Sequence, residues 1–225
     1  MKKLLILSIV ALFGAAIVRA ETARAELVDQ VETCEAILQE FQLRPDSAIP
    51  AIVLQRARAI IIVNQFKAGF LFGVKAGYGV IMVKKPSGRW SLPVLVNASE
   101  ASLGLQIGAT AVETIYIITD ENTPRLLFNH RFNIGVDAKA VAGPKAAEVQ
   151  RNGKEILDTP MLVYTKNAGL YAGATVKAGH LARNDTANST LYNTRYTMPE
   201  LLYSDWVQPV SEVKPLMEYV QKIAP

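Results

Sequence analysis

The sequence predicts an α+β fold, with a curved, mostly antiparallel sheet or barrel-like core flanked by an N-terminal and a C-terminal helix. Glu26–Phe41 and Val213–Ile223 carry apolar residues at helical spacing near the two ends of the chain. Between them, residues 56–96 (RARAIIIVNQFKAGFLFGVKAGYGVIMVKKPSGRWSLPVLV) read as strands punctuated by turn signals. Two glycine-faced stretches echo one another. Residues 67–73 (KAGFLFG) resemble 167–173 (NAGLYAG), and Lys75-Ala-Gly77 resembles Lys177-Ala-Gly179. Glycine relieves crowding where a sheet bends sharply, so the echo is expected of a strongly curved sheet.

The first residues read as a leader. Lys2 and Lys3 precede an apolar run, Leu4–Val18, and Val18-Arg19-Ala20 and Ala23-Arg24-Ala25 both suit cleavage after a small residue. The run is roughly 15 residues, short of the ~20 that span a bilayer. Cys34 lies too far on to serve as a lipoprotein anchor. The expected organisation is a signal peptide over residues 1–25 and one domain over 26–225. The expected location is periplasmic or secreted, and from there the protein can touch a membrane peripherally. About 200 residues suffice for a single domain with a substantial core.

Glu26–Phe41 is then an amphipathic helix with its acids opposite Leu27, Val31, Cys34, Leu38 and Phe41. Cys34 is the single cysteine, which excludes an intrachain disulfide, and it reads as a small buried hydrophobe. A short helix is expected from Ile49 or Pro50 to about Ala57, capped by Asp46 or Ser47. Residues 59–63 (AIIIV) read as a fully buried strand. Residues 69–84 read as one long strand or as a hairpin bent near Gly77-Tyr78-Gly79. Counted along that stretch, Phe70, Phe72, Val74, Ala76, Tyr78, Val80 and Met82 share one face, and Gly69, Gly73, Gly77 and Gly79 share the other. A strand bare on one face admits another backbone or a ligand.

Pro86-Ser87-Gly88 is a turn, Trp90–Val96 a strand, and residues 103–110 repeat the glycine-faced pattern. Ile115–Ile118 is a buried strand. Thr123-Pro124 opens a short helix reaching about His130. Asp137–Val141 is a strand followed by an Ala142-Gly143-Pro144 turn. Met161–Thr165 and Gly169–Lys177 form a hairpin, and Pro199–Tyr203 and Val213–Ile223 are helical.

Enzyme signatures are missing from the sequence. There is no Gly-x-Ser-x-Gly elbow and no Gly-Lys-Ser/Thr phosphate loop, and the glycines of 73–79 neither fit Gly-x-Gly-x-x-Gly nor open a helix. His130 and His180 have no metal-ligand spacing to a carboxylate or to Cys34. No catalytic residue, cofactor or metal is expected, and a site assembled from dispersed residues is the remaining route to catalysis.

Charge is more informative. The leader takes Lys2, Lys3, Arg19 and Arg24 with only Glu21, so 24 cations against 20 acids become 20 against 19. Net charge therefore does not argue for nucleic acid. Residues 44–99, however, hold eight cations and only Asp46 as an acid. Arg56, Arg58, Lys67, Lys75, Lys84, Lys85 and Arg89 are either solvated positions on strands, where cations discourage edge pairing, or part of a groove for phosphate or carboxylate. Cations facing an anionic lipid surface contribute roughly 1 kcal/mol each. Lys75 shares the parity of the bare glycine face, and Lys166 and Lys177 would join from the echoing segment.

Several of these segments together resemble the SYLF domain. They are Arg58-Ala-Ile-Ile61, Lys67-Ala-Gly-Phe-Leu-Phe-Gly73, Gly77-Tyr-Gly-Val80, Gly88-Arg-Trp-Ser-Leu-Pro93, Gly104-Leu-Gln-Ile-Gly108, Ala142-Gly-Pro144, Tyr164-Thr-Lys-Asn-Ala-Gly-Leu-Tyr-Ala-Gly173, and Asn188 with Tyr192. The resemblance covers about residues 45–195. Pro144 is followed by Lys145-Ala-Ala147 where members often carry a further glycine, and Asn64 stands where proline is frequent. The resemblance implies binding of phosphoinositide or other anionic phospholipid, and in eukaryotic members binding of actin. An exported chain is similar to the bacterial secreted branch, which argues against actin as its physiological partner. In some eukaryotic members an amphipathic segment ahead of the core engages lipid; the acidic helix here does not suit that role. The expected function is thus noncatalytic binding of anionic phospholipid headgroups by the nine cations named above, with an envelope protein-interaction or scaffold module as the alternative.

Overall fold

Strand β1 (Ala59–Gly69) is central to the sheet, and Ala59 to Val63 are all within 1% of complete burial. Five consecutive aliphatic residues are tolerated there because the strand is covered on both faces. The structure is a computed structural model describing residues 2–69, 72–103, 110–129, 131–145, 148, 156–166 and 179–225. Around β1 run β2 (Phe72–Val83), β3 (Val94–Leu103), β4 (Thr110–Ile118), β5 (Phe132–Asn133), β6 (Ala140–Ala142), β7 (Met161–Thr165) and β8 (His180–Arg183). The sheet order is β5-β8-β3-β2-β1-β4-β7-β6, curled into a half-barrel. Among the described strand-to-strand pairings only β6–β7 is parallel. The expected fold class is the observed one.

Helix α1 (Lys2–Leu43) is continuous, extending well before the expected start at Glu26. The first proline of the chain is Pro45, so nothing in residues 2–43 forces an earlier break. Val31, Cys34, Leu38 and Phe41 are buried at three- and four-residue spacing, and α1 packs on β1 and β2. Cys34 donates a long, weak bond to the Ile62 carbonyl at 3.7 Å, and burial pushes its thiol up to about 12. Among the described residues no helix is long and apolar enough to cross a membrane.

Further α-helices among the described residues are α2 (Ala51–Arg56), α3 (Thr123–Leu126), α4 (Asp185–Tyr192), α5 (Met198–Tyr203) and α6 (Lys214–Ile223). The sequence pattern did not anticipate β5, β8 or α4. β5 is two residues long and β8 four, too short for periodicity to register. The strand expected from Trp90 starts at Val94, with Trp90 confined to an isolated bridge with Lys84. The expected segments 104–109 and 169–177 lie outside the described residues.

Of the two readings of residues 69–84, the strand running unbroken through Gly77–Gly79 is the observed one, and the hairpin bend there does not occur. β2 stays in register with β1 throughout, with Gly77 opposite Gln65 and Gly79 opposite Val63. The two glycines have a different reason. A Cβ at Gly77 would lie 2.0 Å from the Asn64 carbonyl oxygen, and one at Gly79 would lie 2.4 Å from that of Ile62. At these positions the bare face receives the neighbouring backbone.

Candidate functional site

The end of the sheet where β1 starts and β2 stops gathers positive charge by register. Ala59 pairs with Val83, so Arg58 and Lys84 are the next rung, joined by Lys84 N–H donating to the Arg58 carbonyl at 2.8 Å. The chain then reverses. Gly88 N–H donates to the Lys85 carbonyl at 2.9 Å and Lys85 N–H to that of Arg89 at 2.8 Å. Gly88 has φ +80°, a left-handed conformation glycine adopts without penalty. The reversal sets Lys85 and Arg89 beside each other, next to Lys84.

Two further groups come from distant sequence. Arg125, on α3, lies 5.6 Å from the ring centroid of Tyr203, at the end of α5. Tyr203 is itself fixed by an edge-to-face contact with Phe128 at 5.7 Å. The result is a concavity of about 280 Å³ lined by Arg58, Lys84, Lys85, Arg125 and Tyr203, with Glu121 on its rim. A second concavity of about 240 Å³ shares Lys85 and adds Arg89, Trp90 and Asp205. Together the two hold five cations against two carboxylates.

The electrostatics are unbalanced. Partial burial, then the neighbouring Arg58, hold the Lys84 ammonium below the ordinary lysine range. Its Nζ donates to the Pro225 carbonyl. Lys85 Nζ donates to the Ser204 carbonyl at 2.6 Å and to Asp205 Oδ1 at 2.7 Å, and Arg89 Nη2 donates to Asp205 Oδ2 at 3.1 Å. The hydrogen bond from Lys85 keeps the Asp205 carboxyl below its usual range, helped by the Lys85 and Arg89 charges. Glu121 stands 4.0 Å from Arg58 Nε, and both side chains are at least half exposed. Lys85 is only 9% exposed, whereas Arg89, the other cation on Asp205, is 68% exposed.

The other predicted cations are elsewhere. Arg56 pairs with Asp158 at 3.0 Å and does not line the concavity. Lys67 and Lys75 are opposite each other across β1 and β2. They are nine residues along β1 from Arg58, or about 30 Å at strand spacing. Lys166 Nζ donates to Glu113 at 2.8 Å and to Glu40 at 2.6 Å, bonds that raise its pKa and tie the end of β7 to β4 and α1. Lys177 lies outside the described residues. The structure therefore brings together Arg58, Lys84, Lys85 and Arg89 and leaves Arg56, Lys67, Lys75 and Lys166 apart from them.

Arg125 and Tyr203 were not anticipated, because nothing local marks them. The available signal was indirect: α3 follows β4, whose last residue, Ile118, pairs with Ala59, so Arg125 must return close to Arg58. Among the described residues, no three of His, Cys, Asp and Glu are grouped as a metal centre requires.

The fold and site are those of an α+β domain with a cationic recess at one end of a curled sheet. The family model described as "Las17-binding protein actin regulator", Ysc84, matches residues 99–223. The chain belongs to this family, the SYLF family that its motifs resemble. It is 28% identical over 182 residues to Protein YSC84 of Saccharomyces cerevisiae, covering 80% of this chain and 39% of that one. It is 28% identical over 172 residues to the SH3 domain-containing protein PJ696.02 of Schizosaccharomyces pombe, covering 75% and 40%. It is 24% identical over 191 residues to the human SH3 domain-containing YSC84-like protein 1, covering 82% and 56%. The chain thus spans about 40 to 56% of the length of these curated relatives. They are named for binding, regulation or an SH3 domain, not for a catalysed reaction.

Proposed function

We propose that this chain is an exported, noncatalytic protein that binds anionic phospholipid headgroups, phosphoinositides among them, at the recess formed by Arg58, Lys84, Lys85 and Arg125. The observation that carries this reading is the convergence of Arg58, Lys84, Lys85 and Arg125, drawn from three separate stretches of the chain, on one concavity. A phosphate monoester or diester supplies the oxygen acceptors that guanidinium and ammonium groups take up. A recess of about 280 Å³ suits a headgroup, while the acyl chains stay in the bilayer.

Co-sedimentation with phosphatidylcholine vesicles, with and without 30% phosphatidylserine or phosphatidylinositol phosphate, tests the reading. Binding is expected only to the acidic vesicles and is expected to weaken as salt rises. The Lys84→Glu/Lys85→Glu pair is expected to abolish it. Equal retention on neutral and acidic vesicles, or binding indifferent to the charge reversal, would sink the reading.

The family's description, Las17-binding protein actin regulator, points to a protein partner, as does the name of a Saccharomyces cerevisiae relative, LAS seventeen-binding protein 3. One observation favours a protein partner here as well: an open, largely apolar trough of about 560 Å³ lies between Trp90 and Met217, beside the recess. A scaffold module predicts capture of an envelope protein that survives high salt, together with little affinity for vesicles.

A further inference from the structure

Next to the cationic recess, the chain displays an aromatic pair it does not bury. Trp206 is 66% exposed and Tyr196 38% exposed, with ring centroids 5.2 Å apart and planes inclined at 46°. The other tryptophan shows what packing does with an indole here: Trp90 is 4% exposed, and its Nε1 donates to the Ala224 carbonyl at 2.8 Å. A lone exposed apolar residue is ordinary, whereas two exposed aromatic rings in contact form a small apolar patch.

Their position is defined by the cations. Trp206 follows directly on Asp205, whose carboxylate takes both Lys85 and Arg89. Tyr203 lines the first concavity, and Ser204, Asp205 and Val207 line the second. The segment carrying Trp206 therefore forms the wall between the two basic recesses. It is anchored from within, since Ser204 Oγ donates to the Glu200 carbonyl at 2.6 Å and Lys85 holds the Ser204 carbonyl.

Indole and phenol rings favour the boundary between water and hydrocarbon, where an apolar body and a polar edge are both accommodated. We propose that Trp206 and Tyr196 are an interfacial anchor, entering the headgroup layer of an anionic bilayer while Arg58, Lys84, Lys85 and Arg89 meet the lipid phosphates. This rests on the headgroup reading above and adds to it a second, apolar component and an orientation of the protein on the membrane. Charge complementarity selects the occupant: the segment carrying Trp206 walls two recesses that hold five cations against two carboxylates, and an acidic lipid surface offers phosphates and an apolar layer at adjacent depths.

The test uses the full chain with phosphatidylcholine vesicles, plain or with 30% phosphatidylserine. Tryptophan emission is read against Trp206→Phe, which subtracts Trp90. On acidic vesicles the Trp206 component is expected to shift to shorter wavelength and to be quenched by lipids brominated near the headgroup. Trp206→Ala is expected to lower the partition coefficient roughly tenfold. It should leave the salt dependence of the remaining binding unchanged, whereas Lys84→Glu/Lys85→Glu should remove binding at low and high salt alike. If the parent chain binds acidic vesicles with unshifted Trp206 emission and Trp206→Ala binds equally well, the anchor is wrong and the headgroup reading stands. If the parent chain binds neither vesicle, both fall.

Discussion

The side-chain amide of Asn188 continues the β3 ladder at Leu95: Oδ1 accepts the Leu95 N–H at 2.8 Å, and Nδ2 donates to the Leu95 carbonyl at 2.9 Å. Backbone pairing with β8 covers Val96 to Ser99 and stops there, so the amide replaces the missing rung. Nδ2 also donates to the Asn184 carbonyl, and Tyr192, one helical turn on, donates its hydroxyl to the Pro93 carbonyl. Helix α4 is thereby stitched to the sheet through fully buried polar contacts.

Asn188→Ala strands two buried backbone groups of Leu95, and the expected loss is about 2–4 kcal/mol. Urea unfolding should show a lower midpoint with an unchanged slope. Asn188→Asp should be no better at neutral pH, because a carboxylate there faces the Leu95 carbonyl it can no longer bond.

Two glycines separate close approach from backbone conformation. Gly77→Ala sets a Cβ against the Asn64 and Gln65 backbone, which cannot yield without breaking the β1–β2 ladder, and a loss of at least about 2–3 kcal/mol is expected. At Gly88 a Cβ meets nothing within 4 Å, so only the positive φ resists it. Gly88→Ala should cost about 1–2 kcal/mol. Equal losses in thermal or urea unfolding would contradict the distinction.

Asp205 is an internal counter-ion that any anionic ligand must compete with at Lys85 and Arg89. Asp205→Asn should tighten binding to acidic vesicles about two- to fivefold at low salt, a modest gain because the Asp205 and Arg89 side chains are exposed. Lys166→Met should leave vesicle binding unchanged, since Lys166 is held by Glu40 and Glu113 away from the recess. Vesicle titration of the two variants checks both statements.

Acid titration reports on Arg24. Its guanidinium lies 2.8 Å from Glu212, whose carboxyl is lowered from 4.5 to about 2, chiefly by the Ser211 hydroxyl, then by its own backbone N–H and by Arg24. A lowered folded-state pKa means stability that is complete above about pH 4.5 and lost as pH falls towards 2. A chain beginning at Glu21 keeps Arg24, and one beginning at Glu26 does not. The longer chain should be the more stable at neutral pH, and the gap should close below pH 4.5 as measured by denaturant unfolding.

The sheet was readable from the sequence where burial is uniform or glycine is periodic. Ala59–Val63, Ile115–Ile118 and Met161–Thr165 are all in strands. The SYLF-like motifs were equally visible, and apart from Arg58 and Arg89, which reach the recesses, several of their residues serve the scaffold. Trp90 holds the Ala224 carbonyl, Ser91 Oγ accepts the Val83 N–H, and Asn188 and Tyr192 hold β3 and its approach. The recess was half visible. Arg58 and Lys84–Arg89 are close in sequence to strand ends that pair, whereas Arg125 and Tyr203 arrive through tertiary packing that no local pattern encodes. Cation counting also swept in Lys67 and Lys75, because composition does not distinguish the two ends of a long strand.

The sealed position of Cys34 has a practical consequence. With one sulfhydryl in the whole chain, held between α1 and β1, an alkylating reagent can react only when that helix lifts away. Labelling kinetics would therefore time the opening of this seam directly, with no engineered probe, and comparing rates with and without acidic vesicles would reveal whether docking on lipid loosens or locks the α1 contact.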